Sequence, residues 1–257
     1  MKEVDKFQNA FVKYFFSPEK KKGKQILLSP LTLLSCLYKQ AIILRNRAYH
    51  RGVLRARKLS IPVISIGNLT VGGTGKTPVV ETFARELQKE GRKVAILSRG
   101  YKKEEPPLWQ RIADSVLFRE FRRPPRVVSD GETLLLDSAM SGDEPYMLAS
   151  NLPNVAVLVD KNRVKSGRYA INKLGCDTLI LDDGFQYLSL KHRMEVVLVD
   201  KTNPFGNEHV LPRGILREPV GNIRRANFIF IRCSIRTVSS SLKKISSEVR
   251  QITIHLK

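Results

Sequence analysis

The run Ile64 to Pro78, ISIGNLTVGGTGKTP, constrains this chain more than any other. Four apolar or small residues suited to a buried strand lead into a glycine-rich turn, and the turn leads into a stretch with helical spacing. Gly72, Gly73 and Gly75 permit a tight backbone that aims N–H groups at one point, and a following helix adds the positive end of its dipole there. Such a turn is built to hold phosphate. Thr70, Val71, Gly72, Gly73, Thr74, Gly75, Lys76 and Thr77 are therefore the expected nucleotide-binding residues, with Lys76 on the β and γ phosphates and the Thr77 hydroxyl on a magnesium ion. The strict phosphate-loop pattern has glycine where this chain has Thr70.

A phosphate loop needs a metal partner, commonly a carboxylate at the end of a neighbouring apolar strand. TLILDDG supplies Asp182 and Asp183 in that context. Two adjacent carboxylates repel each other, and a divalent cation beside them stabilises both charges. Mg2+ with ATP is the cofactor pair this pattern predicts, with Thr77, Asp182 and Asp183 as the metal residues.

Further strands are expected at Val63–Ile66, Val94–Leu97, Val155–Val159, Thr178–Leu181, Val196–Val199 and Phe228–Ile231, and helices at Val79–Glu90 and Arg163–Leu174. Apolar strands alternating with helices predict an α/β fold, a mostly parallel sheet flanked by helices. Tyr101 to Asp130, with two proline pairs and dense charge, reads as a loop, and Val238 to Lys257 as a helix followed by the strand QITIHL. The division expected from composition is 1–58 as a basic, amphipathic segment, 59–232 as the core, and 233–257 as the start of a further part.

From Ile26 to Leu44 the chain is largely apolar but broken by Pro30, Lys39 and Gln40, and it is bordered by Lys20, Lys21, Lys22, Lys24, Arg45 and Arg47. That pattern suits a helix lying in a membrane's headgroup region better than one crossing it. An amphipathic helix packed on the core is the other reading. The formal charge of +21 favours polyanionic partners without choosing among them. A nucleic-acid binder is one alternative, but aromatic residues are only 7% and no basic–aromatic platform is evident, so no nucleic-acid partner is expected. Cys36, Cys176 and Cys233 lack the spacing of a zinc site or disulfide framework, and Met1 to Lys24 lacks signal-peptide order, which together predict a cytoplasmic protein.

Several motifs in one order, GNLTVGGTGKTP, SRGY (Ser98–Tyr101), GDEP (Gly142–Pro145), DDGFQ (Asp182–Gln186) and LPRGILREP (Leu211–Pro219), resemble the lipid A 4'-kinases, over about Leu28 to Ile231. The resemblance implies transfer of the ATP γ-phosphoryl group to the 4'-hydroxyl of a tetraacylated glucosamine disaccharide 1-phosphate, giving lipid IVA, at the cytoplasmic face of an inner membrane. It also implies Asp143 as the carboxylate that orients and deprotonates the sugar hydroxyl, with Glu144 assisting. Arg163 and Arg217 are candidates for gripping an anionic group of the substrate or the γ-phosphate. Two departures from the family pattern stand out. Lys102 follows SRGY where glycine is common, and no counterpart of the family's C-terminal Asp–His pair occurs here, His255 lacking its surroundings. A truncated or catalytically impaired homologue is accordingly the other expectation. Oligomeric state has no signature in the sequence.

Overall fold

A computed structural model describes residues 29–72, 75–100, 123–232 and the two-residue strand at 251–252. Gly73, Thr74, the segment 101–122 and most of 233–257 lie outside the described residues, as do the expected helix beginning at Val238 and the side chain of His255. Contacts group the chain into two units, one of residues 56–67 and 75–195, the other of 1–55, 68–74 and 196–257. This grouping cuts across the linear division at 58 and 232, because α1 (Ser29–His50) falls in the same unit as the C-terminal strands.

In the first unit the strand order is β3 (Arg126–Asp130), β4 (Ala156–Val159), β2 (Val94–Ser98), β5 (Thr178–Asp182), β1 (Val63–Asn68). All neighbours are parallel except β3, which runs antiparallel to β4. β2, β4 and β5 are buried along their whole lengths, as their Val, Ile, Leu and Ala content requires of strands covered on both faces. Two helices flank them: α2 (Lys76–Lys89), which buries Val79, Val80 and Ala84, and α5 (Arg163–Leu174), which buries Ser166, Gly167 and Ala170. Ala170 joins Leu59, Leu97, Leu158, Leu179 and Leu181 in one apolar core. α5 has the predicted bounds. Asn162 caps it by accepting the Lys165 N–H at 3.1 Å, and Gly175 ends it in the left-handed conformation.

Two expectations are corrected here, and one further element is added. α2 begins at Lys76 rather than Val79, since the first N–H groups of a helix have no partner within it and Pro78 is tolerated there. The tail of the predicted loop at 101–130 is the edge strand β3, whose pairing with β4 shifts between Val127 and Ser129. GDEP, for which the sequence pattern gives no element, opens a helix, α4 (Asp143–Asn151), preceded by the short α3 (Ser138–Ser141).

In the second unit β6 (Met194–Asp200), β7 (Phe228–Arg232) and β8 (Gln251–Ile252) are parallel neighbours. α1 docks one face on the LPRGILREP segment and the residue before it: Ser35 Oγ donates to the Val210 carbonyl at 2.7 Å, and Arg213 donates to Thr32 Oγ1 at 2.7 Å. Ser35 and Ile42, seven residues apart, are buried on that face. Leu33, Leu37 and Leu44 occupy the opposite face and are 60 to 64% exposed. No described helix is long and apolar enough to cross a membrane.

Candidate active site

The parallel register sets Leu97 against Leu181 and Ile66 against Asp182, so β1, β2 and β5 end together. Ligands in open α/β sheets gather at such carboxyl ends. Ser98, the last residue of β2, donates its hydroxyl to Asp182 Oδ2 at 3.2 Å, and Asp182 is only 5% exposed. Burial pushes the Asp182 carboxyl up to about 6, and the like charges of Asp183 and Glu144 add to the rise, while Lys76 and the Ser98 hydroxyl oppose it. Lys76 Nζ lies 3.5 Å from Asp183 Oδ1.

The turn that carries these acids is tightly built. Asp183 takes a positive φ of 54°, a conformation aspartate tolerates better than most residues. The Gly184 N–H then donates to the Ile66 carbonyl at 3.2 Å, folding the turn onto β1. At Gly67 the approach is so close that an added Cβ would lie 2.8 Å from the Phe185 backbone nitrogen, a contact only glycine permits.

Lys76 and Thr77 are the first two residues of α2, and Gly75, at φ 71°, precedes them as the cap. The N-terminal part of the phosphate loop belongs to the other unit. There Thr70 bridges Leu216 in antiparallel fashion, and the Val71 N–H donates to the Ile215 carbonyl at 2.7 Å. Thr70 is buried and has no positive φ, which explains why glycine is not needed at that position. Gly72, at φ 121°, does need to be glycine.

Asp143 and Glu144 occupy the exposed first turn of α4, and Glu144 acts electrostatically on Asp182. Arg163 is the first residue of α5 and is 5% exposed. Burial lowers its basicity and the like charge of Arg99 adds to this, while Tyr187, Asp183 and Asp182 oppose it. The first unit therefore brings Lys76, Asp182, Asp183, Glu144 and Arg163 into one electrostatic neighbourhood. Arg217 lies in the other unit, half-buried, with its N–H on the Leu69 carbonyl and its own carbonyl accepting from the Tyr38 hydroxyl.

Magnesium is the cation the pattern implies, and the residues fit it. Two carboxylates and a hydroxyl form a hard-oxygen donor set. The buried Asp182 has like-charged acids beside it and, among the described residues, a single hydroxyl donor, an arrangement that a divalent cation stabilises. Sequence reasoning gave Ser98 no role, although its place at the end of an apolar strand beside β5 was a readable signal.

A family model described as tetraacyldisaccharide-1-P 4'-kinase matches residues 26–257. Among curated proteins, a tetraacyldisaccharide 4'-kinase of Anaeromyxobacter dehalogenans is 42% identical over 225 residues, which is 88% of this chain and 55% of the relative. One from Geobacter sulfurreducens is 40% identical, with 82% of this chain and 55% of the relative covered. The chain thus spans about half the length of the curated relatives it matches. Of solved structures, LpxK from Aquifex aeolicus, crystallised in complex with ATP, superposes with a TM-score of 0.68 at 38% identity, covering 80% of this chain and 58% of that one.

Proposed function

Because this chain belongs to the tetraacyldisaccharide 4'-kinase family, we propose that it binds ATP with magnesium and transfers the γ-phosphoryl group to the 4'-hydroxyl of a tetraacylated glucosamine disaccharide 1-phosphate. The observation that carries this reading is Asp182: a buried carboxylate held by Ser98, crowded by Asp183 and Glu144, with Lys76 opposite. The solved relative's complex with ATP supports the nucleotide part.

In this reading the amides of the loop from Thr70 to Gly75 and the Lys76 ammonium hold the triphosphate. Thr77, Asp182 and Asp183 would hold magnesium, which when bound neutralises charge on the phosphates. Asp143 accepts the proton of the 4'-hydroxyl as its oxygen bonds to the γ-phosphorus and the bond to the β–γ bridging oxygen breaks, releasing ADP. Glu144 assists from the same helical turn. Arg163 meets the γ-phosphate oxygens, and Arg217 is the second guanidinium proposed for an anionic group of the substrate. Little covalent chemistry falls to the protein, and most of the acceleration comes from positioning and charge.

The lipid acceptor places the reaction at a membrane surface, and we assign the cytoplasmic face of an inner membrane. The exposed Leu33, Leu37 and Leu44 of α1, with Lys39 and Arg47 exposed on the same helix, support contact with an anionic bilayer. Transfer of labelled γ-phosphate to the disaccharide lipid tests the whole reading. Lys76→Ala is expected to abolish it with the fold intact, and undiminished transfer by that variant rejects the assignment.

A further inference from the structure

The turn that carries Asp182 and Asp183 continues directly into Phe185, Gln186 and Tyr187, and its last residue reaches across to α5. The Tyr187 hydroxyl accepts the backbone N–H of Arg163 at 3.0 Å, in the first turn of the helix. The same ring lies beneath the Arg163 side chain, with the guanidinium carbon 5.0 Å from the ring centroid. One tyrosine thus holds both the main chain and the side chain of a residue 24 positions away in sequence. The Tyr187 N–H in turn donates to the Gly184 carbonyl at 2.8 Å, which fixes the tyrosine to the acidic turn.

Arg163 has an unusual situation for a guanidinium. It is 5% exposed, and its Nε is buried with no hydrogen-bond partner among the described residues. A buried, unpartnered donor on a charged group is costly unless a ligand completes it. Stacking on an aromatic face keeps the planar fork oriented without using any of its donors. Asp182 and Asp183 exert a favourable electrostatic influence on this guanidinium.

We propose that Tyr187 is the positioning residue that presents Arg163 to the γ-phosphate, ring under the guanidinium and hydroxyl on the first turn of α5. The spacing between cation site and guanidinium is then set by one short turn, Asp182 to Tyr187, rather than by two independent loops. This rests on the reading of Arg163 as a γ-phosphate ligand, and the test separates the two claims.

The full chain is titrated with the non-hydrolysable triphosphate AMPPNP and with ADP, each with magnesium, and the ratio of the two affinities is the readout. Arg163→Ala is expected to reduce the preference for the triphosphate by about tenfold or more while ADP affinity holds, since only the triphosphate carries the group the guanidinium meets. Tyr187→Leu should reproduce most of that loss, and adding it to Arg163→Ala should cost nothing further. Tyr187→Phe keeps the ring and loses the acceptor, so its ratio should fall by about two- to threefold, as loss of one modest hydrogen bond allows. If Arg163→Ala loses the preference and Tyr187→Leu, still binding ADP normally, keeps it, the positioning role is wrong while the Arg163 reading survives. If Arg163→Ala itself keeps the preference, both are wrong. Should Tyr187→Leu fail to fold, Tyr187→Phe decides, and an unchanged ratio there overturns the proposal.

Discussion

Glu218 and Asp182 are both buried carboxylates, 0% and 5% exposed, and each belongs to a different unit. Glu218 is surrounded by donors. Arg45 reaches it at 2.9 Å, Arg225 at 3.1 Å, and the side-chain amides of Asn222 and Asn46 at 2.7 and 3.5 Å. These contacts tie α1 to the LPRGILREP segment and to the 3-10 helix at Val220–Arg225. Among the described residues Asp182 instead has one hydroxyl donor, two like-charged neighbours and a lysine whose nearer partner is Asp183. A buried charge fully matched by donors is architecture, since nothing remains for a ligand to supply. A buried charge left among its own kind is what we propose as a site, because a cation would complete its environment.

Substitution should separate the two sharply. Asp182→Asn is expected to cut phosphoryl transfer by about 10³-fold, roughly 4 kcal/mol of transition-state stabilisation, without lowering the melting temperature. A variant that unfolds early instead would place Asp182 with Glu218. Glu218→Ala strands Arg45 and Arg225 and should destabilise the fold by about 3 kcal/mol, some 6–12 °C in thermal melts, by the usual cost of breaking a buried pair and the usual scaling for a chain of this size. No change in melting would show that the donors around Glu218 are not needed.

The exposed face of α1 extends the contrast to a surface that has no donors to satisfy. Leu33→Asp with Leu37→Asp is expected to weaken partitioning onto anionic phospholipid vesicles by about tenfold, since apolar area and electrostatics both suffer, with the melting temperature unchanged. Equal partitioning would remove the membrane role from this helix.

Acidity gives the smallest effect and sharpens the sign of the comparison. Because Asp182 is raised from 3.8 to about 6 in the fold, the folded protein holds a proton that the unfolded chain has released between those values. The stability this group contributes is therefore complete below the unfolded value and is lost as pH rises through about 6. Metal-free melts should show that decline in the wild type and lack it in Asp182→Asn. An identical slope in both would mean that another group titrates.

Much of this was readable from residue order. The Val- and Ile-rich strands and the bounds of α5 follow from local pattern, since buried parallel strands and a capped helix both leave strong signatures. β3 did not, because an edge strand after Pro124 and Pro125 gains its structure from pairing with β4 rather than from its own five residues. α4 leaves no signature for a related reason: a short helix with proline in its first turn carries little periodicity. At the site, Lys76, Asp182 and Asp183 were found from motif context, and the structure brings them together. Thr70 looked like a defect in the phosphate loop and is instead an extended residue paired with Leu216, which no spacing rule conveys. The stacking of Arg163 on Tyr187 and the ring of donors around Glu218 join residues far apart in the chain, so only the folded arrangement discloses them.

The most direct test of the contrast between the two carboxylates is the affinity for AMPPNP with and without magnesium, in the wild type and in Asp182→Asn. Magnesium should tighten wild-type binding by at least about tenfold, as a cation bridging carboxylate and phosphate requires, and should give Asp182→Asn almost no gain. An equal magnesium gain in both proteins would contradict the cation role of Asp182 and leave it merely a buried acid.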